Sequence, residues 1–184
     1  MPARPRSLPR LAALLPLAGA LLLAACTGPK PTQFAPSCPN VKIRADAADI
    51  TRYRPNSPGR DLTDLVLDGR ITGFKGGCER DDRNTVKTVL EVEMVLARGP
   101  ATQGRVLTAP FFVAVVDGTR ILDKQVYPLR IELGENQDQA RVSSGELVLM
   151  VPVSREKSAA SYDILIGFQL SPDELETNRR RGPR

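Results

Sequence analysis

Thr85-Val86-Lys87-Thr88-Val89-Leu90-Glu91-Val92-Glu93-Met94-Val95-Leu96-Ala97 alternates apolar and polar residues at period two. Leu90, Val92, Met94 and Leu96 fall on one face, Glu91 and Glu93 on the other. That pattern predicts a β-strand with one dry and one wet face. Residues 62–78 read as a second long strand, with Leu65, Leu67, Gly69 and Ile71 sharing a face. Gly73, Gly76 and Gly77 signal a bulge or a bend near its end. The polar run at residues 79–84 is a turn, so the two strands form a β-hairpin.

Working outward, the same period recurs. Residues 110–116 place Phe111, Val113 and Val115 on one side. Asp117-Gly118 before Thr119 predicts a tight turn, since both central residues of such a turn must tolerate positive φ. Residues 120–133 read as one strand with Tyr127, Leu129, Ile131 and Leu133 together; Pro128, lacking a donor, belongs at an edge or a bulge. Residues 140–153 read as one strand with Leu147, Leu149, Val151 and Val153 inward. Residues 162–170 place Tyr162, Ile164, Ile166, Phe168 and Leu170 on one face. Upstream, Val41-Lys42-Ile43-Arg44 is a short strand and residues 46–50 one helical turn. Ser171-Pro172-Asp173-Glu174 has the cap, the early proline and the acid three residues on that start a helix of a turn or two. The arginine-rich end, residues 179–184, reads as a disordered like-charge tail.

About seven strands and no long helix predict an all-β chain: an antiparallel β-sandwich, immunoglobulin- or fibronectin-like, with a short C-terminal helix. A small barrel is the runner-up. The tryptophan and the inter-sheet cysteine spacing of antibody domains are missing.

Composition excludes several chemistries. The chain has 184 residues and no histidine. A Ser-His-Asp triad, a Cys-His pair and imidazole metal ligands are therefore ruled out. Aromatic residues are 4% of the chain, which argues against sugar or base stacking. The net charge of +5 comes from the two ends. Without Arg4, Arg6 and Arg10 and the four arginines of residues 179–184, basic residues are fewer than acidic ones. The basic isoelectric point thus gives no nucleic-acid-binding face. Neither a metal nor a cofactor is expected.

Arg4, Arg6 and Arg10 precede an apolar run from Leu11 to Ala25, too short to span a membrane comfortably. A basic start, a short apolar stretch and small residues before a cut make a secretory signal peptide. Its end, Leu23-Ala24-Ala25-Cys26, resembles the lipobox of bacterial lipoproteins. The resemblance implies that Cys26 is lipidated, becomes the mature N-terminus and is held at a membrane by acyl chains. Thr27 follows where an inner-membrane retention aspartate would stand, which implies the periplasmic face of the outer membrane. The segments are then residues 1–25, signal peptide; 26–37, a proline-rich tether; 38–171, the sandwich; and 172–184, the short helix and basic tail. With Cys26 taken by lipid, Cys38 and Cys78 remain in an oxidising compartment and are expected to form a disulfide. The mature domain also resembles uncharacterised envelope lipoproteins of Gram-negative bacteria, through Cys38-Pro39, Thr51-Arg52-Tyr53-Arg54-Pro55 and Gly167-Phe168-Gln169-Leu170.

The candidate binding surface is the stiff loop at residues 51–60. Arg52, Tyr53, Arg54 and Arg60 could grip a carboxylate or phosphate by forked hydrogen bonds. The alternative is that these arginines pair with Asp49, Asp61 and Asp64 and only shape the loop. Glu91 and Glu93 are the one carboxylate pair on a strand face, and alternation explains them as its wet side. Asp81 and Asp82 read as a solvated turn, and Ser143 and Ser144 have no base to activate them. The expected function is a membrane-anchored envelope lipoprotein, a non-enzymatic binding or scaffolding module whose partner is another envelope protein. The alternative is a periplasmic small-ligand carrier or an inhibitor of an exported enzyme.

Overall fold

The structure, a computed structural model, describes residues 37–184 apart from Asn56, Pro58, Gly59 and Pro183. The expected signal peptide, Cys26 and the tether up to residue 36 lie outside the described residues.

Eleven strands build the fold: β1 (Asn40–Ile43), β2 (Asp49–Tyr53), β3 (Leu65–Arg80), β4 (Thr85–Arg98), β5 (Val106–Thr108), β6 (Phe111–Asp117), β7 (Arg120–Tyr127), β8 (Arg130–Glu132), β9 (Gln139–Ser143), β10 (Leu147–Pro152) and β11 (Asp163–Phe168). One α-helix follows, α1 (Pro172–Arg181). One sheet runs β1-β11-β6-β7, the other β10-β4-β3-β2 with β9 also on β4, and β5 pairs β8 in a small third sheet. The protein is a sandwich. Its hairpin β3–β4 pairs Leu67 with Arg98 at one end and Arg80 with Val86 at the other. A bulge between Ile71 and Gly73 interrupts the register, near the start of the glycine cluster.

Leu90, Val92, Met94 and Leu96 are at most 1% exposed. They share one core with Phe111, Val113, Ile164, Ile166 and Phe168 from the facing sheet. Fully burying one such aliphatic or aromatic side chain contributes about 1.5–3 kcal/mol, so this shared face holds the two sheets together. The Cys38–Cys78 disulfide fastens the chain two residues before β1, in one sheet, to β3 in the other. No described helix is long and apolar enough to cross a membrane.

Several expected elements differ. The stretch 120–133 is two strands in two sheets, because Pro128 ends β7 and β8 turns to pair β5. The stretch 140–153 breaks between β9 and β10, where Gly145 takes φ +72°. The broken edge still follows β4 on both sides of the gap. Residues 49–53 form β2, so the first three residues of the expected loop, Thr51–Tyr53, are strand. The β6–β7 turn is centred on Gly118-Thr119, with positive φ at Gly118 alone. Glycine in the first central position is the type II′ arrangement. β1 pairs β11 in parallel, the exception to an antiparallel design.

The helix also exceeds expectation. Its capping box is as predicted: the Ser171 hydroxyl accepts from Glu174 N–H, and Glu174 Oε2 accepts from Ser171 N–H at 2.7 Å. It then continues through Arg179, Arg180 and Arg181, the expected disordered tail.

Candidate functional site

β2 ends at Tyr53, and the chain passes through the Arg54–Arg60 segment to Asp61. There the Asp61 carboxylate accepts from the N–H groups of Thr63 and Asp64 and caps a 3-10 turn at Leu62–Asp64. Across from this loop lies α1. Between them is a groove of about 480 Å³ lined by Arg52, Tyr53, Arg54 and Arg60 on one side and by Glu174 and Thr177 on the other. All four candidate residues thus meet at one site. Its second wall, the helix, was not expected.

The arginines do different work. Arg52 Nε donates to Glu174 Oε1 at 2.9 Å and Nη1 to the Thr108 carbonyl at 3.0 Å. Glu174 therefore caps its own helix and anchors β2 to it. Arg60 Nη1 donates to Thr177 Oγ1 at 2.8 Å. Arg54 lies 3.9 Å from Asp64 with 59% of its side chain exposed. Asp64 also accepts from the Ser57 hydroxyl at 2.6 Å. Of the three expected acidic partners, only Asp64 meets an arginine of the loop. Asp61 is taken by Thr63, whose hydroxyl and backbone N–H hold its carboxyl below the usual range.

Asp49 serves the helix instead. Its side chain is 3% exposed. Arg70 donates to it through Nε at 2.8 Å and Nη2 at 3.2 Å. Arg181 and Arg184 each approach it to 3.5 Å. Burial pushes the Asp49 carboxyl up, but the Arg70 hydrogen bonds and the charges of Arg184, Arg70 and Arg181 outweigh it and hold the group low. Asp46 is held low by the hydrogen bonds of Arg44, opposed by burial and reinforced by Arg179. Buried Asn178 donates to the carbonyls of Asp46 and Asp49 at 3.1 and 2.8 Å. The expected repulsion within residues 179–184 is cancelled by Asp46, Asp49 and Asp68, so the tail docks.

The carboxylate pair on β4 is engaged as well. Lys75 bridges Glu91 at 3.1 Å and Glu93 at 3.8 Å, and Glu91 accepts from the Ser143 hydroxyl. The Ser143 bond, ahead of Lys75, holds Glu91 below the usual carboxylate range. Both carboxylates belong to a charged outer face that faces water. Asp82 accepts from Asn84 N–H at 2.6 Å, closing the β3–β4 turn. Among the described residues no three His, Cys, Asp or Glu side chains gather as metal ligands.

Arg54 and Ser57 meet Asp64, Arg60 meets Thr177, and the arginines make the site polar and cationic. Compared with known proteins, the chain matches no family model, no curated protein and no solved structure.

Proposed function

We propose that the protein is a membrane-anchored envelope lipoprotein, tethered through Cys26 at the periplasmic face of the outer membrane. It acts as a non-enzymatic module that docks another envelope protein through the groove between the Arg54–Arg60 loop and α1. The observation that carries this reading is the convergence of Arg52, Tyr53, Arg54 and Arg60 on one groove. Arg52 holds the wall, which leaves Arg54 and Arg60 for an acidic partner surface. Arginines in such settings carry a large share of interface energy.

Crosslinked envelopes test it. The parent should capture a defined partner, and the Arg54→Ala, Arg60→Ala protein should capture at least tenfold less while melting within a few degrees of the parent. Equal capture overturns the docking reading. The anchor is tested separately: Cys26→Ser should move the protein from membranes to the soluble fraction and end acyl labelling. Continued labelling sinks that part. The alternative, an inhibitor of an exported enzyme, draws on the same stiff loop; the captured partner would then be an enzyme whose activity falls on binding.

A further inference from the structure

Phe111-Phe112-Val113-Ala114-Val115-Val116 in β6 is apolar without alternation. A strand written so expects cover on both faces. Phe111, Val113 and Val115 meet the core. Phe112, Ala114 and Val116 point away from it, beside Leu165 of β11 and Ile121 of β7. The fold covers much of this outer face, leaving Ala114 3% and Val116 6% exposed. There Gly167 lies under Ala47 and the Phe112 ring, which a Cβ would approach to 2.7 and 2.8 Å. What remains is a groove of about 390 Å³ between the sheet and α1, with Leu175 on the helix side. Ile121 at its mouth is 60% exposed.

Its rim is cationic. Arg44, Lys124 and Arg179 line it with one carboxylate, Asp46, which Arg44 and Arg179 share. Lys124 Nζ stands 4.6 Å over the Phe112 ring, where the apolar floor meets the charge. An apolar recess of this size with a few polar groups at its edge is the form of a small-molecule site.

We propose that the groove binds a free fatty-acid anion. The alkyl chain lies along Phe112, Leu165, Ile121 and Leu175, and the carboxylate faces Lys124. A sheet face presents side chains and no backbone N–H or C=O, so an extended peptide would leave its own polar groups unpaired there. A hydrocarbon chain has no such groups to pair. The inference goes beyond the docking reading and does not depend on it or on the anchor.

Calorimetry on the full chain carrying Cys26→Ser tests it, with dodecanoate below its micellar range as the probe. One-site binding is expected, at least tenfold weaker for dodecyltrimethylammonium. Ile121→Glu, at an exposed position, should weaken dodecanoate tenfold or more without moving the melting temperature. Lys124→Glu should reverse the preference for the anionic probe. Arg54→Ala, Arg60→Ala should bind it as the parent does. Absence of one-site binding, unchanged affinity in Ile121→Glu, or loss in the Arg54→Ala, Arg60→Ala protein overturns the proposal. So does binding to anionic vesicles alone, which would make this a membrane-facing surface.

Discussion

At its first strand the domain is fastened by a covalent bond, and at its helix by charge. Cys38 and Cys78 tie the start of β1 to the far end of β3. Asp46 and Asp49, with Arg44, Arg70, Arg179, Arg181 and Arg184, tie α1 to β2 and its preceding turn. The first fastening answers to reductant and is indifferent to acid. The second answers to acid and is indifferent to reductant. α1 forms a wall of both grooves, so the acid-sensitive fastening is the one nearest to them.

The disulfide carries the largest expected effect. It closes a loop of 40 residues, for which the chain-entropy model gives about 4 kcal/mol. The Cys38→Ala, Cys78→Ala protein should lose unfolding free energy of that order in urea titrations. Hydrogen exchange should rise first at residues 38–43 and leave α1 protected. Equal loosening at α1 would merge the two fastenings into one.

Next comes Asp49→Ala. It leaves three arginines around a vacated, buried site, and about 3 kcal/mol is expected, the low end for a broken buried pair because those arginines reach water. Here exchange should rise at α1 and spare β1. A loss below about 1 kcal/mol would demote the cluster to an ordinary surface network.

Acid separates the fastenings without mutation. Asp46 and Asp49 have folded pKa values below their unfolded ones. The stability they contribute is therefore complete above the ordinary carboxylate range, about 4, and is lost as the pH falls below it. At pH 3 the helix should show lower protection factors than at pH 6, with exchange corrected for its intrinsic pH dependence and those of β1 little changed. Asp49→Asn should flatten that dependence, and an unflattened profile would move the cause elsewhere.

Smaller effects bound the comparison. Ser171→Ala removes the cap and should cost about 1 kcal/mol, felt at α1. Lys75→Met removes the bridge between Glu91 and Glu93 on the open face of β4. It should change stability by less than about 0.5 kcal/mol, since that cluster fastens nothing. A larger loss would mean that exposed charge on this sheet also holds structure.

The sandwich was legible because burial writes itself at period two. Leu90 to Leu96, Phe111 to Val115 and Tyr162 to Phe168 each announced their inward faces. The disulfide was legible by count, once Cys26 was assigned to lipid. Pro128 reads as an edge or a bulge within one strand and Gly145 carries no sign of a break, because one apolar period continues across each. The second wall of the arginine groove was not legible. Arg52 meets Glu174 and Arg60 meets Thr177 across most of the chain, and no periodicity announces a pairing of charges so far apart. For the same reason the arginines of residues 179–184 read as repelling one another, with Asp46 and Asp49 out of sight at the other end. The apolar groove had a signal that was half used. Phe112, Ala114 and Val116 were in view as the alternate positions of β6, and their lack of polarity was the sign of a second covered face.

The parallel pairing of β1 with β11 bears on the order of assembly. Asn40 lies opposite Asp163, and Ile43 opposite Ile166. β1 comes first in the chain and must wait for the last strand of its sheet. Contacts so remote in sequence form late, because the intervening chain must close first. Meanwhile Val41 and Ile43 have no sheet to enter. Cys78, far nearer in sequence, offers an earlier capture: oxidation parks the waiting strand beside the β3–β4 hairpin, where β11 later finds it. An oxidant present at that stage would act as a folding aid, and a delay in oxidation would leave an apolar strand exposed to aggregation.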